Sequence, residues 1–237
     1  MTRAMTGAMG RFLLSGLLLA AQPLCTSARA ADEQGVFAHP LNPAQMSALL
    51  GPAAKPLAAA PGLRGRFEQR KTLPDLPKPL LSTGDFLFAR ELGVWWHTRT
   101  PFDSVFILTR EGARSRDEGG AETRVSADQQ PGVAVAARIF FALFALDFEA
   151  LAKDFDTYGM PTGAGPGTNK SAGWQVGLRP RLAAMSAVFR EAVIDGAGHA
   201  NRIELRDAHG DRTEILFPEV SILTDGLSAA DRQRFAN

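Results

Sequence analysis

From Leu63 onward the apolar residues recur with a period of two, and that alternation limits the fold more than any other feature of the chain. Leu63, Gly65, Phe67, Gln69 and Lys71 alternate with Arg64, Arg66, Glu68 and Arg70. One side of this stretch is fully charged, and the other begins apolar and turns polar toward Lys71. This is the pattern of an antiparallel strand with one face in water. Pro74, Pro77 and Pro79 mark a loop. A second strand runs from about Leu81 to Arg90, with Gly84, Phe86, Phe88 and Arg90 on one face and Asp85, Leu87 and Ala89 on the other. After the tight link Glu91-Leu92-Gly93, Val94, Trp96 and Thr98 alternate with Trp95, His97 and Arg99 as far as Pro101, and Ser104 to Thr109 is a short apolar strand. Short strands joined this closely read as a meander.

The flanking segments read differently. Asn42 before Pro43 is a good helix start, and a short helix is predicted from Pro43 to Leu50, with Met46, Leu49 and Leu50 on one stripe and Gly51-Pro52 as its stop. Residues 110–132 are polar and Gly-rich, with one weak strand at Glu122 to Ser126. Val133 to Phe155 is the strongest helical segment. Val135, Ile139, Leu143 and Leu146 recur at helical spacing, as do Phe140, Phe144 and Phe148, so the apolar arc is wide and calls for protein or ligand nearly all round. Asp147 is placed to cap a second short helix at 148–153. Gly159 to Gly173 reads as a long loop. Strands are predicted again at Trp174–Leu178, Ala187–Ile194, Arg202–Arg206 and Thr213–Phe217, the last two joined by a turn with Gly210, and Leu227 to Asp231 reads as a short polar tail. The class is therefore α+β: one long antiparallel sheet that must curl, its apolar face covered by the helices because nothing else in the chain can cover it.

The first thirty residues carry the bases Arg3, Arg11 and Arg29 and no acid, an apolar run from Phe12 to Ala21, and a small-x-small site at Ala28-Arg29-Ala30. They read as a secretory signal peptide, with 31–237 as a single exported domain. Removing them leaves 23 basic and 25 acidic residues and takes away the lone cysteine, Cys25, so the exported chain has no disulfide and no thiol. A lipidated Cys25 would want a small residue before it, where Leu24 stands. No apolar run approaches the ~18 residues of a membrane-spanning helix. The near-neutral charge gives no basic surface for nucleic acid.

Catalytic signatures are absent. There is no Gly-x-Ser-x-Gly and no His-Glu-x-x-His, and His39, His97, His199 and His209 are scattered. Asp207 and Asp211 flank a turn and do not make a calcium loop. No enzyme activity, metal or cofactor is expected. What stands out is apolar bulk on two surfaces that must meet: Phe67, Phe86, Phe88, Val94 and Trp96 on the sheet, and Ile139, Phe140, Leu143 and Phe144 on the helix. Such surfaces make either a filled core or a cavity for a lipid chain, and composition does not separate the two.

The stretches Arg64-Gly65-Arg66-Phe67-Glu68-Gln69 and Ser82-Thr83-Gly84-Asp85-Phe86-Leu87-Phe88-Ala89-Arg90, then Trp95-Trp96-His97 and Pro101, resemble the LolA family of periplasmic outer-membrane lipoprotein carriers. Arg90, Trp96 and Pro101 keep the family's intervals, and Gly210-Asp211-Arg212-Thr213 with Phe217-Pro218 is also similar to it. The resemblance implies an unclosed β half-barrel with α-helices as a lid over its concave face, and a monomeric periplasmic carrier of acyl chains, of lipoproteins or of another lipid. Such a carrier receives cargo from an inner-membrane donor complex or exporter and gives it to an outer-membrane acceptor. The resemblance further implies that Arg90 latches the lid and that Trp96 lines the pocket. The chain departs from the family at Glu91, where Pro is usual, and at Arg110–Arg116, where an apolar strand with Trp and Tyr is usual. It looks like a divergent branch. The same half-barrel could also serve a lipid- or partner-sensing module.

Overall fold

A computed structural model describes residues 35–129, 131–163, 173–182, 186 and 189–236; the leader expected at 1–30 lies outside them. Eleven strands form one sheet in the order β6-β5-β4-β3-β2-β1-β11-β10-β9-β8-β7, every pairing antiparallel. The first meander comprises β1 (Gly62–Thr72), β2 (Leu80–Ala89), β3 (Gly93–Thr100), β4 (Ser104–Leu108), β5 (Gly112–Asp117) and β6 (Glu122–Ser126). The second comprises β7 (Phe155–Thr162), β8 (Gly173–Pro180), β9 (Phe189–Gly196), β10 (Ala200–Asp207) and β11 (Arg212–Leu223). The two meet at the centre, where β1 pairs with β11, while β6 and β7 remain as separate edges.

Between these edges run α2 (Pro131–Ala145) and α3 (Phe148–Leu151). Inward residues from both meanders, among them Val94, Phe86, Phe67, Phe217, Ile203, Ile194, Val176 and Phe155, join Leu143 and Phe144 of α2 in one core cluster. The sheet therefore curls around the helices, and the product is the unclosed half-barrel with helices over its concave face. α1 (Pro43–Ala59) lies beside α2, α3 and β7. The segment before it covers the β7 edge: Leu41 N–H donates to Thr157 O (2.9 Å) and Gly159 N–H to His39 O (2.9 Å). At the other edge, β6 carries Glu122 and Arg124, charges that discourage edge-to-edge pairing.

Several elements differ from the sequence reading. α1 does not stop at Gly51-Pro52 but continues to Ala59 through Pro52 and Pro56. Met46, Leu50, Ala53 and Leu57 form one buried stripe, whereas both prolines are exposed, so burial of the stripe outweighs the two lost backbone hydrogen bonds. Asn42 and Gln45 cap its start reciprocally. The helical stretch ends earlier than Phe155, which opens β7; Asp147 does cap α3, accepting from Ala150 N–H at 3.1 Å. Residues 110–132 hold two strands, not one. Gly159–Thr162 belong to β7 rather than to a loop, whereas 164–172 lie outside the described residues. The strand expected at Ala187–Ile194 is Phe189–Gly196. The presumed tail forms α4 (Ala229–Ala236), packed on the face opposite α2.

Candidate functional site

The concave face is built from aromatic residues laid over glycines. In the β1–β2 register Phe67 lies opposite Gly84, and Gly65 opposite Phe86. A Cβ on Gly84 would come within 2.7 Å of the Phe67 ring, and one on Gly65 within 2.9 Å of the Phe86 ring. Each ring therefore lies flat across its neighbour's backbone, an arrangement that only glycine permits. The β2–β3 register then sets Phe86 against Trp96 and Phe88 against Val94, so the tight link at 90–92 preserves the shared face expected for these four residues. Trp96 stacks on Phe67 with ring centres 3.8 Å apart.

α2 lowers its rings into this surface. Phe144 is the central contact, 5.3 Å from Phe86, 5.4 Å from Phe88, 5.9 Å from Phe217 and 6.4 Å from Phe140. Phe67, Phe86, Phe88, Val94, Leu143 and Phe144 are buried, and Trp96, Ile139 and Phe140 are partly buried against them. The structure thus brings together all nine apolar residues singled out in the sequence, and in this state Phe144 occupies the middle of the space they enclose.

Three further residues belong to the site. Phe217, on β11, meets Phe86 at 5.2 Å and Trp96 at 6.3 Å; its alternation with Ile215 was the available signal. Phe141 meets Phe88 edge-on at 5.7 Å, and the Arg110 guanidinium lies 4.9 Å from the centre of the Phe141 ring. The residues around 110 carry no apolar pattern, so Arg110 had no sequence signal.

At the β2–β3 end, Phe88, Arg90, Arg110, Phe141, Ala145 and Asp147 line a cleft of about 360 Å³ between sheet and α2. Arg90 stands just past β2, where its Nε donates to Ala60 O (3.2 Å) and its Nη2 to Leu57 O. Those carbonyls end α1, a site that favours a cation. Arg90 is therefore fastened to the C-terminus of α1, while it only borders the cleft under α2.

The buried carboxylates lie on the other side of the sheet. Glu204 and Glu191 alternate with the inward Ile203, Leu205 and Ala192 and meet Arg202, Arg206, Arg212 and Arg179 on the convex face. Burial alone would raise the pKa of Glu204, but hydrogen bonds and charge from Arg212 and Arg202 hold it below the usual carboxylate value. Asp231 of α4 is also buried and held low: burial is outweighed by the Ser228 hydroxyl and amide and by the Arg64 and Arg234 charges. His97 and Asp103 pair at 2.8 Å on the convex side. Among the described residues, no His, Cys, Asp and Glu cluster is arranged to hold a metal ion.

No protein-family model matches the chain, and no curated protein matches it in sequence. Solved structures do resemble it. A putative outer membrane lipoprotein-sorting protein domain from Vibrio parahaemolyticus aligns at 9% identity over 81% of this chain and 100% of its own, with a TM-score of 0.41. A LolA superfamily protein from Nitrosomonas europaea aligns at 10% over 78% and 96%, TM-score 0.41. LolA superfamily proteins are thus among the structures similar to this chain. The MucA/MucB complex of Pseudomonas aeruginosa aligns at 13% over 80% of this chain and 60% of the matched one, TM-score 0.45.

Proposed function

We propose that this protein is a periplasmic lipid carrier that takes an acyl chain, of a lipoprotein or another lipid, between its sheet and α2. It receives the chain from an inner-membrane donor complex or exporter and yields it to an outer-membrane acceptor. The observation that carries this reading is the construction of the interior. A curled aromatic sheet is covered by α2, whose rings pack directly on it, and a cleft opens beside them; in this reading those rings are the plug that an acyl chain displaces.

The energetics suit exchange rather than permanent capture. A sixteen-carbon chain carries about 11 kcal/mol of burial at ~0.8 kcal/mol per methylene. Withdrawing Ile139, Phe140, Leu143 and Phe144 from the sheet costs about 6–12 kcal/mol at ~1.5–3 kcal/mol per side chain. The two are of similar size, so cargo and plug compete on nearly equal terms, as release at a destination requires. Arg90, Arg110 and Asp147 stand at the cleft beside Phe88 and Phe141, and the buried carboxylates Glu191 and Glu204 sit on the opposite face, so the surface offered to an acyl chain is the aromatic one between sheet and α2. In this reading Arg90 holds α1 while α2 moves, and Trp96 forms the floor on which the acyl chain lies.

The test is mass spectrometry of lipid extracted from the protein purified after export. Stoichiometric acyl lipid, lost when Phe86 and Phe88 are replaced by polar residues in a folded variant, supports the reading. Protein that is lipid-free as purified and also fails to bind added acyl lipid refutes it.

A further inference from the structure

The strand register carries the concave face on beyond the rings. Trp96 pairs with Phe106, Phe106 with Ser115 and Ser115 with Thr123. In the next inward row Thr98 lies between Gly84 and Ser104, and on β1 and β2 Gln69 pairs with Ser82, two residues past Phe67 and Gly84. Alternation puts all of these on the side of Phe67, Phe86 and Trp96. Past the aromatic rows the inner wall is thus a band of hydroxyl and amide side chains: Gln69, Ser82, Thr98, Ser104, Ser115 and Thr123. Each is exposed or half-buried, and none has a side-chain hydrogen-bond partner among the described residues. Phe106 stands among them with 37% of its surface exposed, although it faces inward.

Solvation alone does not account for this composition. The outward side of the same strands also meets water, and it is charged, with Arg66, Asp85, Arg99, Arg116, Glu122 and Arg124. On β1–β6, among the described residues, only Asp117 and Lys71 bring charge to the inward side, and both are engaged. Asp117, opposite Ser104, accepts from Ala121 N–H (2.9 Å), and Lys71, two residues past Gln69, pairs with Asp211 (2.9 Å). Asp103, in the β3–β4 turn, is taken outward by His97. The cleft residues Arg90, Arg110 and Asp147 lie toward the other ends of these strands. Neutral donors and acceptors beside open aromatic surface match a sugar, which offers hydroxyls at its edge and C–H groups at its face. A phosphate or carboxylate would find no unpaired cation on the band.

We infer that this band receives the headgroup of the cargo, and that the headgroup is an uncharged, hydroxyl-rich one of the glycosyl type. The inference rests on the acyl-binding reading, because the head arrives with a chain that lies on the rings.

The experiment is displacement of a fluorescent fatty acid from the exported protein by decyl maltoside, decyl phosphate and decanol, each below its micellar concentration. The wild type is compared with Thr98→Val combined with Ser104→Ala, two changes that remove hydroxyls without adding bulk; circular dichroism verifies the fold. The wild type is expected to bind the maltoside more tightly than the other two. The double substitution weakens the maltoside about tenfold, the worth of roughly two hydrogen bonds, and leaves decanol unchanged. Maltoside binding that is indifferent to the substitutions, an equal loss for decanol, or tighter binding of decyl phosphate than of maltoside overturns the inference and leaves the acyl-binding reading standing. Failure of the fluorescent acid and of all three amphiphiles to bind overturns both.

Discussion

Replacing Phe144 by alanine separates a plug from an ordinary core residue. The ring touches Phe86, Phe88, Phe140 and Phe217, and the side chain is only 6% exposed, so its loss leaves a hole lined by rings from the sheet. A buried Phe→Ala change costs about 3–5 kcal/mol, and alanine does not weaken the helix itself. For a domain of this size, that lowers Tm by roughly 10 °C. An acyl chain that displaces Phe144 in the wild type meets no such competitor in the variant. The ring's burial, about 1.5–3 kcal/mol, no longer opposes binding, so affinity should rise about 10- to 100-fold. The assays are thermal unfolding with and without palmitate, and titration with a fluorescent fatty acid. The variant should melt early without ligand and regain most of the loss when ligand is present. Weaker binding alongside the lower Tm would mean that Phe144 is only part of a solid core, and the plug argument would fail.

Other consequences follow from the same contacts. Arg90→Leu removes the hydrogen bonds to Leu57 O and Ala60 O and should cost about 1.5–3 kcal/mol, seen as faster amide exchange at the end of α1; unchanged exchange there would deny it the fastening role. Trp96→Ala strips the face of Phe67 and should weaken acyl binding by more than it lowers stability, since Trp96 is only partly buried; equal losses in the two assays would make Trp96 a plain packing residue. Asp231 is held below its ordinary pKa of ~3.9, so its contribution is present above that value and lost as pH falls through the depressed folded value. α4 should accordingly leave the sheet only in acid. The Trp95 indole resonance, with Arg234 4.6 Å from the ring centre, reports that release, and Asp231→Asn should shift the resonance at neutral pH.

The paired strands at the front of the sheet were legible because each has one face in water: Phe67, Phe86 and Trp96 announce the inward side, and Arg66, Asp85 and His97 the outward side. β5 was not legible. Its residues Gly112–Asp117 are exposed or half-buried, and backbone pairing to β4 and β6 holds them where no apolar alternation exists. α1 was cut short because Pro52 and Pro56 oppose a helix locally, and only the partners of Ala53 and Leu57 show why it continues. α4 did carry its own signal, the Ser228-x-x-Asp231 cap, in which Ser228 and Asp231 hydrogen-bond reciprocally. The nine apolar residues of the site were found from parity and helical spacing. Whether they enclose space or fill it depended on how deep α2 sits, and a pattern in one dimension holds no such depth.

The most direct measurement is photo-crosslinking with a diazirine-bearing fatty acid, followed by peptide mapping of the labelled residues. If the acyl chain replaces the plug, label appears on the β2, β3 and β11 peptides that contain Phe86, Phe88, Trp96 and Phe217, and excess palmitate suppresses it. Label confined to outward-facing residues, or unmoved by palmitate, would show that the aromatic interior never opens to a lipid.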